Sequence, residues 1–111
     1  MAPAAQEPQP QTLVTAWYRD TCIARSDATV RLEGNRYFPP DSIRPGILSD
    51  SRLRTLCIWK GIARYNHAEI DGIRAPNAAW SYPRPSLLAR QIKGMVAFEQ
   101  ATGITVREEP G

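Results

Sequence analysis

The sequence predicts a mostly β domain, sandwich-like or open-barrel-like, with one or two short helices. Two observations predict it. Short runs rich in β-branched and aromatic residues recur along the chain, as in Leu13-Val-Thr-Ala-Trp-Tyr18 and Ile62 to Ile70. Gly, Asn, Asp and Pro separate these runs every ~8–12 residues, the spacing of small sandwiches and barrels.

In order along the chain, Met1 to Gln11 are Pro, Ala and Gln with a single charge and are expected to be a disordered tail. Residues 12–109 then form one β domain. Leu13 to Tyr18 and Thr21 to Ala24 flank Arg19-Asp20 as a tight hairpin. Thr29 to Leu32 and Arg36 to Phe38 flank Glu33-Gly-Asn35, read as a three-residue loop whose Gly and Asn tolerate positive φ. Pro39-Pro40 stops that strand, and Asp41 is placed to cap a short helix within 39–49. Arg54 to Trp59 and Ile62 to Ile70 carry the strongest strand pattern. Asp71-Gly72 turns the chain into Ile73-Arg-Ala75, and Ala78 to Tyr82 makes a further strand closed by Pro83 and Pro85. Within 84–93, Ser86 to Lys93 has the apolar spacing of a short helix, with Ser86 as cap and Gly94 as terminator. Met95 to Phe98 and Ile104 to Arg107 complete the set.

A chain of 111 residues has room for one modest core. No run approaches the ~18 apolar residues of a membrane span, and the start lacks the basic-then-apolar layout of a signal peptide. A cytoplasmic protein with no membrane partner is expected. Net charge +3 arises from 12 Arg and 2 Lys against 11 acids. The arginines are spread from Arg19 to Arg107, so a nucleic-acid face requires Arg31, Arg36, Arg52, Arg54 and Lys60 to converge in space, and a solvated surface is favoured. Cys22, Cys57 and His67 cannot supply the four paired ligands of a zinc site, so no metal and no cofactor are expected. Reduced, buried thiols are the expectation for both cysteines.

Thr55-Leu-Cys-Ile-Trp-Lys-Gly61 concentrates the chemistry. If it is a strand throughout, Cys57 and Trp59 share one face while Lys60 and Ile58 take the other, and a bulge at Lys60-Gly61 is needed to bring Trp59 and Lys60 together. A lysine desolvated among aromatics has a depressed pKa and serves as base or nucleophile. The structural alternative is a salt bridge to Glu33. Lys60, Tyr65 and His67 are the candidate catalytic residues. His67 alternates onto the face of Tyr65 and has an ordinary pKa near neutrality. Trp59, Trp80, Tyr82 and Tyr37 are the candidate ligand-binding residues, rigid aromatics able to stack on a planar molecule.

The motif order Glu33-Gly-Asn-Arg-Tyr-Phe-Pro39, Cys57-Ile-Trp-Lys-Gly61 with Ala63 and Tyr65, Ala78-Ala-Trp-Ser-Tyr-Pro83 and Lys93-Gly-Met-Val-Ala-Phe98 resembles the domain-of-unknown-function 427 family over about residues 14 to 107. Ile58 stands where that family usually has Pro or a similar residue. The resemblance implies a compact two-sheet β-tent, two antiparallel sheets meeting at an angle, as in methionine sulfoxide reductase B and the ligand-binding domain of cereblon. Their paired-cysteine zinc motifs have no counterpart here. The family's nucleotidyltransferase label implies a third activity, but the chain has neither a paired acidic metal motif nor a glycine-rich phosphate cradle.

Three functions are therefore carried forward, with nucleotide work, as the family label implies, trailing the other two. One is a cofactor-independent enzyme using lysine and tyrosine acid–base chemistry on a carbonyl or phenolic substrate, of the isomerase, dehydratase or cyclase type. Another is a non-catalytic module that clasps a small ligand or a peptide. No residue pattern fixes the oligomeric state, and a homodimer is admitted.

Overall fold

β-Branched and aromatic runs become nine strands in the computed structural model, which describes residues 12–109. β1 (Leu13–Tyr18) and β2 (Thr21–Ser26) form one hairpin, and β3 (Val30–Leu32) and β4 (Asn35–Tyr37) a second. β5 (Leu48–Cys57), β6 (Gly61–Ile70) and β7 (Ile73–Ser81) make a long meander, followed by β8 (Val96–Phe98) and β9 (Ile104–Glu109). The chain is mostly β, as its composition predicts. The expected tail, Met1 to Gln11, lies outside the described residues.

The strands form a three-stranded sheet, β2-β1-β9, and a four-stranded sheet, β5-β6-β7-β8, with β3-β4 as a small ribbon. All strand pairs are antiparallel. The ribbon continues the four-stranded sheet, because Phe38 and Val96 exchange backbone hydrogen bonds of 2.7 and 2.9 Å.

Turn chemistry fixes the registers. Leu32 pairs with Asn35, so the β3–β4 connection is the two-residue turn Glu33-Gly34 rather than a three-residue loop. Both turn residues have positive φ, 53° and 79°, the twist that matches right-handed strands. Asp71-Gly72 repeats the device, at 51° and 78°, between the paired Ile70 and Ile73.

Alternation then sorts side chains onto two faces of the large sheet. On one face Ala68, Ile70, Ala75, Val96 and Phe98 pack against Val14, Ala16 and Ile23 of the three-stranded sheet. Phe38 joins them, fully buried, its ring edge-on to Phe98 at 5.5 Å. On the other face Ala63, Tyr82 and Ala97, with Tyr37 from the ribbon, form a second cluster roofed by Ala89 and Ile92. Trp59, Tyr65 and Trp80 close its margin, each half-buried.

Two strand expectations are corrected, and the two short helical segments fall in the ranges expected but are of the 3-10 type. β5 starts at Leu48 and ends at Cys57, so Trp59 and Lys60 lie in the turn 58–60 and not on the strand. Ser49, Asp50 and Ser51 hide the start of β5 because their polar side chains break the apolar strand pattern on this edge strand; Asp50 is exposed, whereas Ser51 is buried and donates to Asn77 Oδ1. β7 is one strand where two were expected; Pro76, which cannot donate to a ladder, is absorbed where the register shifts and Asn77 adopts φ 50°. The helix expected within 39–49 is a single 3-10 turn, Pro40–Ser42, and that within 84–93 is a kinked 3-10 segment, Leu87–Ile92. Leu87 and Leu88 are exposed, so no apolar stripe supports an α-helix there. No helix among the described residues is long and apolar enough to cross a membrane.

Candidate functional site

Lys60 is the polar group that the second cluster is built around. It is only 7% exposed, whereas Ile58 at the tip of the same turn is 97% exposed. Three devices place it. Gly61 takes φ 117°, which returns the chain sharply into β6. Ser86 then clamps the turn: its N–H donates to Lys60 O at 2.9 Å, and its hydroxyl donates to Trp59 O. This is what Ser86 does in place of capping the 3-10 segment, to which its side chain gives no bond. A tight turn, rather than a strand bulge, therefore directs both Trp59 and Lys60 to one side.

A substitution tests the turn. A Cβ on Gly61 would sit 3.2 Å from Arg84 O in a backbone conformation that L-residues avoid. Gly61→Ala is expected to cost ~1–3 kcal/mol, a fall in melting temperature of roughly 5–20 °C. Gly34→Ala is expected to cost less, because nothing lies within 4 Å of its Cβ. Equal melts for the two variants would show that the close approach at Gly61 is unimportant.

The Lys60 ammonium donates to Glu33 Oε1, and Trp59 Nε1 donates to Glu33 Oε2 at 3.1 Å. It lies 5.2 Å from the Trp59 ring centroid and 5.5 Å from that of Tyr82. Burial pulls the lysine pKa down, but the hydrogen bond to Glu33, with the nearby Tyr82, Cys57 and Glu33 as potential anions, carries it above its ordinary value. The expectation of a depressed lysine is thus overturned, and Lys60 is a fixed cation. The Lys60 hydrogen bond in turn holds the Glu33 carboxyl below its usual range. Burial pushes the Tyr82 phenol up, against the opposing pull of Lys60, so it keeps its proton at neutral pH.

The remaining aromatics are linked in series. Trp80 Nε1 donates to the Tyr37 hydroxyl at 3.2 Å, and the two rings meet edge-on at 6.4 Å. Tyr65 and Trp80 are cross-strand partners with centroids 6.2 Å apart. The Tyr65 hydroxyl accepts from Thr55 Oγ1 at 3.4 Å. Lys60, Trp59, Tyr82, Trp80, Tyr65 and Tyr37 therefore belong to one wall.

His67 belongs elsewhere. It follows Tyr65 on β6, but its Nδ1 accepts from the Asn77 N–H at 3.0 Å. It lines a separate open groove of about 570 Å³ with Asp50, Ser51, Arg52, Leu53 and Asn77. The proton of the neutral ring must then sit on Nε2, which suits a hydrogen-bond donor rather than a base.

Two further residues belong to the Lys60 group. Glu33, a turn residue by local signals, is the counter-ion that the structural alternative for Lys60 named. Cys57, with no sequence neighbour to ionise it, receives the backbone N–H groups of Lys60 and Trp59. The Lys60 bond is the larger influence; it outweighs burial, and the thiol pKa is lowered. Cys57 and Cys22 are both free thiols.

The arginines do not converge on Lys60. Arg31 and Arg36 meet Glu108 at 3.9 and 3.0 Å, and Arg52 lines the His67 groove. Arg54 instead joins Arg64 and Arg84 in a groove of its own. Among the described residues no group of three or more His, Cys, Asp or Glu side chains is placed to hold a metal ion.

Fold and site together define a small all-β domain with a buried lysine–glutamate pair set into an aromatic wall. By its sequence, residues 7–108 match the profile of a family described as a domain of unknown function, DUF427, and the chain belongs to that family. No significant match is found among curated proteins.

Proposed function

We propose that the Lys60 wall binds a small planar organic molecule through a carbonyl or phenolic oxygen. The observation that carries this reading is a lysine nine-tenths buried between two aromatic rings with a single carboxylate partner. A buried ion pair is a poor way to stabilise a core, since apolar residues of equal volume often do better. Clusters of perturbed titratable groups are more frequent at binding and catalytic sites. As a permanent cation Lys60 donates to the ligand oxygen, while Trp59, Trp80 and Tyr65 offer ring faces and edges. Neither a metal nor a cofactor is needed. Two free thiols suit a reducing, cytoplasmic setting.

A second reading is catalysis of the isomerase or lyase type on the same ligand class. It is favoured by Tyr82, a protonated phenol beside a fixed cation. Glu33 would take a proton next to the carbonyl, Lys60 would hold the enolate oxygen, and Tyr82 would return a proton. Binding leads because the lowered pKa of Glu33 makes it a weak base. Nucleotidyl transfer finds least support in these residues.

Quenching of tryptophan fluorescence by 4-hydroxybenzaldehyde, 2-cyclohexenone and benzamide tests the reading. Saturable quenching of the native chain, weakened at least about tenfold in Lys60→Met, is the expected result. No saturation with any of the three, or equal affinity in the variant, would overturn it. NMR of the recovered compound then separates the two readings: unchanged compound means binding, a new product means catalysis.

A further inference from the structure

On the opposite face of the large sheet, β5 and β6 run past the cover of the three-stranded sheet. The residues left there are unusual in kind. Arg54 and Arg64 are direct cross-strand partners, as are Leu56 and Ile62. All four are exposed. Like charges placed opposite each other weaken a strand pair. A third arginine, Arg84, is brought alongside by Pro83-Arg84-Pro85, a segment stiffened by its prolines and tied down by the Ser86–Lys60 bond. Arg54, Arg64 and Arg84 thereby line an open groove of about 510 Å³ whose other walls are Gly61, Ile62 and Pro83.

The local counter-charge is thin. Asp50 approaches Arg64 at 3.5 Å. Arg54 spends one nitrogen on its own strand, donating to the Ser51 and Leu53 carbonyls at 2.9 Å each. Those bonds fix the guanidinium in place and leave its other N–H groups unassigned. One guanidinium held in place and two more lining the same groove, beside an apolar strip, have the composition of a receptor for an anion with an apolar body.

We propose that this groove is a second ligand site, which takes an organic phosphate or carboxylate: the anionic group between Arg64 and Arg84, the apolar part on Ile62 and Pro83. It is distinct from the Lys60 wall, which lies on the other face, and goes beyond the function proposed for it.

Titration of the full, isotope-labelled chain with phenyl phosphate, inorganic phosphate and phenylacetate, read by NMR at the Arg Nε–H and backbone amides, tests the proposal. Phenyl phosphate and phenylacetate are expected to shift Ile62, Arg64 and Arg84, and phenyl phosphate to bind about tenfold or more tighter than inorganic phosphate. Arg64→Gln and Arg84→Gln should each weaken phenyl phosphate about tenfold, the loss of one charge-assisted pair. Ile62→Ser should weaken phenyl phosphate and leave inorganic phosphate unchanged. Lys60→Met should leave these shifts intact, which separates failure here from failure at the lysine wall. Since Arg64 faces another arginine, Arg64→Gln is also expected to melt no lower than the native chain. Equal affinity for the two phosphates would overturn the apolar part of the assignment, and unsaturable shifts would overturn the site. Binding of a single-stranded oligonucleotide without binding of phenyl phosphate would overturn it in favour of a nucleic-acid surface.

Discussion

Glu33→Ala is expected to lower the melting temperature by roughly 5–10 °C, whereas Lys60→Met lowers it by less than about 5 °C. The two ends of the pair differ in burial. Removing the half-exposed carboxylate leaves a buried ammonium with no counter-charge, the expensive half of a broken pair. Removing the lysine leaves a carboxylate that water can solvate, and Met preserves the apolar stem. The double variant should therefore melt close to Lys60→Met alone. The pH dependence has a matching form. Glu33 is held below its ordinary 4.5, so its contribution is complete above that value and is lost as pH falls through the lower folded-state pKa. Lys60 is held above its ordinary 10.5, so its contribution is complete below that value and is lost as pH rises through the raised pKa. The difference in stability between native chain and Lys60→Met should be flat through neutrality and shrink at both extremes. A difference that changes between pH 6 and 8 would rule out this pairing, as would a Lys60→Met variant less stable than Glu33→Ala.

Phe38→Ala is expected to cost about 3–5 kcal/mol, the largest loss of any single substitution considered. The ring is fully buried and packs edge-on against Phe98, where little can collapse into the space left behind. Its backbone also carries the bridge to Val96 that joins ribbon to sheet. Domains of this size hold ~5–15 kcal/mol in total, so the variant should show a much lower urea midpoint at an unchanged m-value. Tyr37 points to the lysine wall from the neighbouring position, so weakening this joint should loosen that wall too. A loss below about 1 kcal/mol would mean that the ribbon does not depend on this contact.

Local chemistry made much of this legible. Asp71-Gly72 was readable as a tight turn because so few residues tolerate positive φ. Arg19-Asp20 was readable only as a charged break between two apolar runs, since Arg19 itself holds φ 55°. Alternation along β6 sorted Ala63 and Tyr65 away from Ile62 and Arg64. The aromatic members of the wall could be picked out for the same reason: Trp80 and Tyr82 are two apart on one face. What the chain left open was anything set by pairing across distance: a Lys60–Glu33 salt bridge stood beside a desolvated lysine, and nothing local decided between them. Glu33 reaches Lys60 over 27 residues, through the position of the β3–β4 ribbon against the turn after β5. The state of Lys60 followed from that partner: without Glu33 in view, burial alone predicts a depressed amine, and with it the sign reverses. Arg64 and Arg84 were likewise invisible as a pair, because a proline-bounded loop, not a strand register, brings them together.

The pairing of β1 with β9 sets how this molecule must assemble. Leu13 lies opposite Glu109 and Tyr18 opposite Ile104, so that sheet can be completed only when segments some ninety residues apart find each other. Closing so long a loop costs entropy that local hairpins do not, and chains dominated by such contacts fold in milliseconds to seconds rather than microseconds. The β5–β6–β7 meander, whose turns are two or three residues long, needs no such encounter and can form early. Trp59, Lys60, Tyr65 and Trp80 of the lysine wall, with Arg54 and Arg64 of the groove, stand on that meander. Glu33 and Tyr37 join from the β3–β4 ribbon, and Arg84 from the loop after β7. The outer strands are then the cover on its apolar side that depends on a distant encounter, and most of the side chains that would meet a ligand stand on the part of the fold that does not.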